Sequence, residues 1–260
     1  MEKVAVVKIG GNVIDDPEAL KSFLADFSAI KGKKILIHGG GKLATRLAEQ
    51  LGITQEMNAG RRITDEETLK IVTMVYAGYI NKNIVAQLYA LSCKSIGICG
   101  ADGNVIKAHK RENASVDYGF VGDIDKVRTK ELTKLLEEHD AVVIAPITHD
   151  GKGQLLNTNA DTIAQEIAQA MSKSCKVQLI YCFEKAGVLL DIADEKTCIP
   201  TISPKSFKQL VDEGSIYDGM LPKLQNAFIA LDKGVAKVRI GKSTSLKSLL
   251  KGRSGTTIGL

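Results

Sequence analysis

The 260-residue sequence contains no tryptophan, only 5% aromatic residues and no block of clustered basic residues. Its net charge of +5 comes from lysines that are spread along the whole chain. Proteins that bind nucleic acids combine clustered cations with aromatic side chains that stack on bases, so this composition argues against a nucleic-acid partner. A mildly basic surface would still help to attract anionic substrates.

The sequence also lacks a signal peptide, a membrane-spanning apolar run and paired cysteines. No apolar stretch is long enough to cross a bilayer, and a strand-like pattern already begins at residue 3. The cysteines form no C-x-x-C pair; they are Cys93, Cys99, Cys175, Cys182 and Cys198. Most lie in apolar runs, which is typical of reduced thiols in a cytosolic protein and not of a zinc site or a disulfide framework. We therefore expect a cytoplasmic protein.

Two apolar runs that end in glycines stand out among the features that are present. Residues 4–9 are followed by glycines 10–11, and residues 34–38 are followed by glycines 39–41. Continuous apolar runs of this length are typical of buried parallel strands. Glycines leave the backbone N–H groups unshielded, and a helix that starts at such a turn adds its positive end. The two turns together predict a phosphate-binding site.

The remaining pattern alternates between helices and strands, which is typical of an α/β protein with a parallel sheet. Residues 95–99 and 105–108 are predicted to form two strands joined by a turn, and residues 109–128 smaller hairpins over the site. A change of pattern at 172–176 predicts a lobe boundary. We therefore divide the chain into an N-terminal lobe, residues 1–174, and a C-terminal lobe, residues 175–260.

A long helical pattern over residues 65–91 follows a predicted capping box at 64–67. This pattern is long for a globular helix and is apolar on more than one face. One face could pack on the sheet of its own subunit and another on a second subunit. The pattern therefore predicts a homodimer that forms through this helix.

Several other motifs compete for the glycines. Residues 39–44 fit G-x-G-x-x-A after a strand, as in dinucleotide folds, but residues 53–60 offer no strand that ends in a ribose-binding acid. Residues 241–243 resemble the end of a P-loop, yet Ala236 stands where its first glycine is required. The four histidines are scattered without H-E-x-x-H or a nucleophile elbow, so metal-dependent and serine hydrolysis have no motif here.

Five motifs occur in the order and at the spacing found in the amino acid kinase family, which the chain resembles over nearly its whole length. They are Lys8-Ile9-Gly10-Gly11, His38-Gly39-Gly40-Gly41, Gly60-Arg61-Arg62-Ile63-Thr64, Asn157-Thr158-Asn159-Ala160-Asp161 and Asp218-Gly219-Met220-Leu221-Pro222-Lys223. The resemblance implies a three-layer αβα sandwich with a largely parallel central sheet. Within the family, the chain most resembles the members of arginine biosynthesis that phosphorylate the side-chain carboxylate of an N-acyl-L-glutamate, with an N-acetyl or an N-succinyl group.

The chemistry of such a reaction suits these residues. A carboxylate acceptor with a pKa near ~4 is already ionised at neutral pH and needs no general base. The difficulty is that an anion must approach a polyphosphate, so catalysis depends on cations and N–H dipoles around the moving phosphoryl group. The resemblance implies that Lys8 and Lys223 stabilise this group from opposite sides and that Asp161 holds both lysines in place.

The resemblance also implies two binding sites. Gly40 and Gly41 would donate N–H groups to the substrate, while Arg62 and Asn157 would hold its α-carboxylate, a planar acceptor that suits a fork-shaped donor. ATP would be the co-substrate, with Mg2+ bound through its phosphates. The residues implied for the nucleotide are Gly10, Gly11, Glu184, Lys185, Gly187, Leu189, Ser215, Ile216 and Tyr217.

The chain departs from the pattern of the family in two places, at Glu184 and at the pair Thr148 and His149. Glu184 stands where an aspartate is usual, and its extra methylene could shift the nucleotide contact. Thr148 and His149 replace a glycine and a small apolar residue. A basic residue there could favour an acyl chain that ends in its own carboxylate, such as succinyl. The alternative is that His149 points to solvent from a loop.

The resemblance further suggests how the protein is regulated and which other functions compete. Arginine-inhibited members carry an extra N-terminal helix, but only two residues precede the first strand here, so we expect a homodimer that is insensitive to arginine. A kinase of carbamate or aspartate would share the phosphate-binding elements, although residues 60–64 and the asparagine motif argue against it. A non-catalytic nucleotide-binding regulator need not keep Lys8, Asp161 and Lys223 together.

Overall fold

The computed structural model describes residues 1–58, 61–112, 115–216 and 220–259. The strands are β1 (Lys3–Ile9), β2 (Lys33–His38), β3 (Met57–Asn58), β4 (Arg61–Arg62), β5 (Ser95–Ile98), β6 (Ile106–Lys110), β7 (Gly122–Val127), β8 (Ala141–Ile144), β9 (Ile147–His149), β10 (Leu155–Asn157), β11 (Lys176–Phe183), β12 (Thr201–Ile202), β13 (Lys237–Lys242) and β14 (Thr256–Ile258). The α-helices are α1 (Gly11–Asp15), α2 (Pro17–Ser28), α3 (Gly41–Gln50), α4 (Glu66–Thr73), α5 (Asn81–Ala90), α6 (Thr129–Glu138), α7 (Ala160–Ser172), α8 (Pro204–Asp212), α9 (Leu221–Asp232) and α10 (Leu246–Lys251). A π-helical turn (Met74–Ile80) joins α4 to α5, and short 3-10 turns lie at Asp102–Asn104, Glu195–Thr197 and Ser243–Ser245.

The central sheet has eight strands in the order β12-β14-β13-β11-β1-β2-β8-β5. Its neighbouring strands run parallel except for the antiparallel pair β13 and β14. The sheet is therefore largely parallel, as predicted. β1 comes from the predicted N-terminal lobe and pairs with β11 of the predicted C-terminal lobe from Lys3↔Lys176 to Ile9↔Cys182. The two lobes thus share one continuous sheet.

Helices cover both faces of this sheet. Side chains of a strand alternate between its faces, so Ile35 and Ile37 of β2 join one apolar cluster and Leu36 joins the other. The first cluster includes buried residues of α6, α7 and α9, and the second includes buried residues of α2, α3, α4, α5 and α10. The arrangement confirms the predicted three-layer αβα sandwich.

Aspartate side chains cap the starts of α2 and α4, and the cap of α4 lies one residue after the predicted Thr64. Asp16 caps α2, because its carboxylate accepts hydrogen bonds from the backbone N–H groups of Glu18 and Ala19, both at 3.0 Å. Asp65, and not Thr64, is the N-cap of α4, since its side chain accepts from the N–H of Thr68 at 2.7 Å. The predicted 65–91 helix is one helical run interrupted by the π turn.

The predicted strand, turn and strand of residues 95–108 are present as β5, a 3-10 turn and β6, but the two strands do not pair with each other. β5 is the edge strand of the central sheet, whereas β6 belongs to a second sheet of order β10-β9-β6-β7. The chain leaves the central sheet at Gly100, whose N–H donates to Ile147 O at 2.7 Å and whose carbonyl accepts from the N–H of Ile106 at 3.0 Å. An added Cβ at Gly100 would lie 2.9 Å from Ile106 O, so this crossing requires glycine. Within 109–128, β6 and β7 pair antiparallel as predicted.

Candidate active site

The two glycine turns lie side by side at the carboxyl ends of β1 and β2, which are parallel neighbours. An ideal Cβ on Gly39 would be 3.7 Å from the Gly11 nitrogen, and one on Gly11 would be 4.0 Å from the Gly41 nitrogen. Helix α1 begins at Gly11 and α3 begins at Gly41. Two helix N-termini with their free N–H groups therefore meet at one place, which is a favourable environment for an anion.

The second turn is packed against the π turn. Gly40 has φ of +151°, and a Cβ there would lie 2.3 Å from Ile80 Cδ1 and 3.1 Å from Tyr76 Cδ1. Both the backbone conformation and the lack of space require glycine at this position. Side chains of the π turn thus restrict the conformation of the loop that contains Gly40.

A buried histidine fixes the same loop from below. His38 is fully buried, and its Nδ1 lies 2.8 Å from Gly39 O, so that nitrogen carries the proton and donates it. Its Nε2 lies 3.3 Å from Asn81 Nδ2, which also donates to Val143 O at 3.1 Å. Burial lowers the pKa of His38 to about 4, a shift that the Gly39 contact opposes and the charge of Lys82 reinforces. The ring is therefore neutral at physiological pH.

Lys8, Asp161 and Lys223 meet at the same edge of the sheet. Asp161 Oδ1 lies 2.8 Å from Lys8 Nζ, and Asp161 Oδ2 lies 3.0 Å from Lys223 Nζ. Lys8 is in β1, Lys223 is in the first turn of α9, and Asp161 is in the first turn of α7, which Asn159 caps. The side chains of Lys8, Asp161 and Lys223 are 14%, 15% and 29% exposed. One carboxylate therefore separates two ammonium groups that remain accessible from one side.

The ionisation of Asp161 is decided by two opposing effects. Burial favours the neutral carboxyl group and would raise its pKa, but attraction to Lys8 and Lys223 is stronger and lowers the pKa to about 2. Asp161 is thus a carboxylate at any physiological pH. Its charge offsets part of the repulsion between the two lysines.

A cavity of about 230 Å3 opens beside the glycine turns. All four residues predicted for the substrate line it: Gly40, Gly41, Arg62 and Asn157. The Arg62 guanidinium donates to Gly41 O at 3.0 Å, to Thr45 Oγ1 at 2.9 Å and to Gln55 Oε1. These contacts hold the charged group at the wall of the cavity. The amide of Asn157 donates to Thr64 Oγ1 at 3.0 Å.

The cavity also contains cations that the sequence analysis missed. Arg61 and Arg111 both line it, and Arg111 forms a two-point ion pair with Asp123 on the neighbouring strand β7. Tyr76 of the π turn lines it too, and its pKa is raised by burial against the opposing charge of Arg62. Arg61 lies in the Gly60-Arg61-Arg62-Ile63-Thr64 motif, but no role was predicted for it. Arg111 and Tyr76 lie in no motif, so only the fold brings them here.

Thr148 and His149 make contacts within the second sheet. Thr148 is fully buried, with its Oγ1 2.7 Å from Thr158 Oγ1. His149 Nε2 lies 3.0 Å from Asn104 Oδ1, and the N–H of Gly151 donates to His149 Nδ1 at 3.2 Å. These contacts occupy both ring nitrogens, and the described lining of the cavity does not include His149. The structure therefore gives the predicted contact between His149 and an acyl carboxylate no support.

Four of the residues predicted for the nucleotide follow β11, whose carboxyl end lies beside that of β1. Glu184 is exposed there, and Lys185 Nζ donates to Ile192 O at 3.1 Å. Gly187 is tightly packed, because a Cβ would lie 2.6 Å from Cys198 Sγ. Leu189 is 1% exposed, so its side chain belongs to the core and only its backbone is available to a ligand.

The surroundings of the other residues predicted for the nucleotide vary. Ser215 and Ile216 are half-buried after α8, and Gly10 borders open space, since a Cβ there would meet no atom within 4 Å. Tyr217 lies outside the described residues, as do Gly60 and the Asp218-Gly219 pair of the motifs.

No group of three or more His, Cys, Asp or Glu side chains in the described ranges is placed to hold a metal ion. None of the helices in those ranges is long and apolar enough to cross a membrane. The described site combines two glycine turns, a lysine-carboxylate-lysine unit and an arginine-lined cavity, all of which favour anionic ligands.

The chain belongs to the amino acid kinase family, whose sequence model matches residues 3–242. It is 53% identical over 257 residues to a protein of Phocaeicola vulgatus named acetylglutamate kinase, and the match covers 99% of this chain and 98% of that protein. The family prediction and the expected resemblance to N-acylglutamate kinases are thereby confirmed.

Solved structures show the same fold. An N-acetylglutamate synthase of Neisseria gonorrhoeae, complexed with coenzyme A and N-acetyl-glutamate, matches all of this chain with a TM-score of 0.84 at 24% identity. The chain spans 59% of the length of that protein. A carbamate kinase of Giardia matches with a TM-score of 0.72 at 12% identity, over 99% of this chain and 98% of its own. At these identities the likeness concerns the fold alone.

Proposed function

We propose that the protein phosphorylates the side-chain carboxylate of N-acetyl-L-glutamate with ATP, giving the acyl phosphate, as an acetylglutamate kinase of arginine biosynthesis. The name of the 53% identical relative supports this function. The structural observation that carries it is the Asp161 carboxylate, which bridges Lys8 and Lys223 beside the arginine-lined cavity.

The two lysines solve the electrostatic problem of this reaction. The acceptor is already an anion, so the barrier comes from its repulsion by the polyphosphate and from charge that moves during transfer. Asp161 holds both ammonium groups within about 3 Å of its own oxygens, which fixes their positions before the reaction starts. We assign Lys8 to one side of the transferring phosphoryl group and Lys223 to the side of the leaving group. Asp161 positions them and takes up no proton, because its pKa is about 2.

The cavity suits a small acid with an α-carboxylate. Arg62 is held by three acceptors, so its positive charge is fixed at the wall of the cavity, where it favours a carboxylate. Asn157, Gly40 and Gly41 also line the cavity, and we assign the Asn157 amide and the glycine N–H groups to the substrate. A volume of about 230 Å3 exceeds what carbamate would fill and accommodates an N-acylated amino acid.

The nucleotide is assigned to the C-terminal lobe, residues 175–260, and the N-acylglutamate to the N-terminal lobe, residues 1–174. Nucleotide contacts are proposed for Gly10, Gly11, Glu184, Lys185, Gly187, Leu189, Ser215, Ile216 and Tyr217. The open space at Gly10 and the two helix N-termini fit a chain of phosphates. Both oxygens of Asp161 are engaged by lysines, so the phosphates themselves would supply the ligands of a Mg2+ ion. When bound, that ion neutralises part of the polyphosphate charge.

A homodimer through residues 65–91 is part of this proposal. The helical run carries apolar side chains that the single chain leaves in water: Met74 is 54% exposed, Tyr79 is 65%, Tyr89 is 53% and Leu91 is 40%. Large apolar side chains that stay exposed along one helical run favour an interface in this part of the chain. Sedimentation equilibrium at micromolar concentration tests the dimer, and a monomer would contradict it.

The reaction is tested by ADP release in a coupled assay with ATP and Mg2+. N-acetyl-L-glutamate and N-succinyl-L-glutamate are compared directly, and aspartate or bicarbonate with ammonia serve as controls. We expect turnover with N-acetyl-L-glutamate and none with the controls. ATP binding without turnover of any acid would favour a non-catalytic regulator, while turnover of aspartate or carbamate would move the assignment to another member of the family.

A further inference from the structure

The amino-terminal edge of the central sheet is lined by lysines. The adjacent strands β13, β11, β1 and β2 each begin with one: Lys237, Lys176, Lys3 and Lys33. Lys3 is in register with Lys176, and Lys237 is in register with Gln178, two residues further along β11. Because side chains alternate along a strand, Lys3, Lys176 and Lys237 project from the same face, the one that α2 and α10 cover.

These lysines border a cavity of about 560 Å3 between α2, α10 and the sheet. Lys31, Lys247 and Lys251 line it as well, together with apolar side chains of β1, α2 and α10. Asp26 is the one acidic residue in its described lining, and it is paired with Lys247 at 2.7 Å. None of the other six lysines that line the cavity forms an ion pair with a described residue.

This concentration of charge is unfavourable without a ligand. Seven lysines and one aspartate give the cavity more excess positive charge than the +5 of the whole chain, so the rest of the molecule is nearly balanced. Like charges on neighbouring strands destabilise a sheet. The helix dipoles account for Lys31 and Lys251, which follow or end α2 and α10. They do not account for the lysines at the strand starts.

We propose that this cavity is a second binding site, for a compact small molecule that carries clustered phosphate groups. Its volume falls in the range of small-molecule pockets. Lysine ammonium groups act as point charges, and a phosphate group, with a charge of about −1.5 to −2, attracts several of them more strongly than a single carboxylate does. The described lining of the cavity has no aromatic ring to stack on a base. The site lies at the opposite end of β1 from Lys8, about 17 Å away at the usual rise per residue.

Isothermal titration calorimetry with inorganic tripolyphosphate in 0.15 M salt tests the site. The Lys176→Glu/Lys237→Glu variant should bind at least 10-fold more weakly than the wild type. The matched control is Lys126→Glu/Lys130→Glu, which reverses two exposed lysines outside the cavity and should leave the affinity unchanged. Both pairs are solvent-exposed, so all proteins should remain folded, which their circular dichroism checks.

Because tripolyphosphate also resembles the phosphates of ATP, a second measurement locates the binding. Lysine acetylation followed by mass spectrometry should show that tripolyphosphate protects Lys3, Lys176 and Lys237, but not Lys126 or Lys130. Unchanged affinity in Lys176→Glu/Lys237→Glu, or protection confined to Lys8 and Lys223, would overturn the proposal.

A parallel titration with fructose 1,6-bisphosphate distinguishes the source of the phosphate groups. Tighter binding of tripolyphosphate assigns the site to inorganic polyphosphate, and tighter binding of the sugar bisphosphate assigns it to a phosphorylated metabolite. Citrate that binds as tightly as either probe would contradict the phosphate assignment. None of these measurements depends on catalytic activity.

Discussion

Lysines cluster at both the carboxyl-terminal edge and the amino-terminal edge of the central sheet, but their surroundings differ. At the carboxyl edge, Lys8 and Lys223 share the Asp161 carboxylate and are largely withdrawn from water. At the amino edge, Lys3 and Lys176 lie next to each other in register, are exposed and have no acidic partner among the described residues. A paired cation is fixed in place before its ligand arrives, whereas an unpaired one must be ordered by the ligand. This difference supports the proposed catalytic role of the carboxyl edge and the proposed binding role of the amino edge.

The largest expected effect separates the two ends of one strand. Replacing Lys8 by alanine removes a cation from the proposed transferring phosphoryl group and should lower kcat by on the order of 10³-fold. Lys3→Ala, at the other end of β1, is the matched control and should leave kcat unchanged. Steady-state kinetics of both variants decide the comparison. The proposed role of Lys8 is contradicted if Lys8→Ala keeps most of its turnover, or if Lys3→Ala loses as much turnover as Lys8→Ala.

The next effect concerns the stability of the carboxyl edge at low pH. His38 has a pKa of about 4 when folded and near 6.5 when unfolded. The unfolded chain therefore binds the proton first as the pH falls, so stability is constant above pH 6.5 and decreases between 6.5 and 4. The loss should approach about 3 kcal/mol, at 1.36 kcal/mol for each pKa unit. Urea unfolding across this range measures it, with His38→Gln as the variant that cannot titrate. Equal slopes for both proteins would contradict the assignment.

Substrate recognition should respond less strongly than catalysis. Arg62→Lys keeps the charge but loses the planar fork, so the KM for N-acetyl-L-glutamate should rise about 10- to 100-fold, which corresponds to one or two charge-assisted hydrogen bonds. The KM for ATP should not change, and this provides an internal control. Arg128→Lys, at an exposed position outside the cavity, should behave like the wild type. An equal rise in both KM values would point to a general distortion of the site.

The smallest effect should appear at the amino edge. Lys176→Glu relieves the repulsion with Lys3, so without any ligand the variant should melt about 1 °C higher than the wild type at low salt. The gain should disappear in 1 M salt, where the Debye length is about 3 Å. Lys126→Glu serves as the control for a general change of net charge. A salt-independent shift, or the same gain in the control, would show that the lysine row is not strained.

The residues of the carboxyl edge were predicted from the sequence because local residue types and family motifs indicate them, whereas the lysine row of the amino edge was not predicted. Glycines 39–41 are informative on their own, because the absence of a Cβ at each of them is visible in the sequence. The apolar run of β1 is also visible in the sequence, and Asp16 is a residue type that commonly caps helices. The family motifs then brought Lys8, Asp161 and Lys223 together, although they are far apart in the chain.

The remaining features depend on long-range packing. The register that aligns Lys3 with Lys176 follows from the pairing of β1 with β11, which no local pattern specifies. Arg111 reaches the cavity only because β6 joins the second sheet and does not pair with β5, which the strand-turn-strand pattern of residues 95–108 does not specify. The π turn has no signal of its own, since its residues continue the helical periodicity of α4.

The continuity of the central sheet has a mechanical consequence. β1 and β11 are paired over all seven residues of β1, from Lys3 to Ile9, so the two lobes cannot open about a flexible hinge without breaking this ladder. We therefore expect any closure around the ligands to occur by a small twist of the sheet that is distributed over many hydrogen bonds. Small-angle scattering should accordingly show only a slight contraction with both ligands bound, and a large one would require the ladder to break.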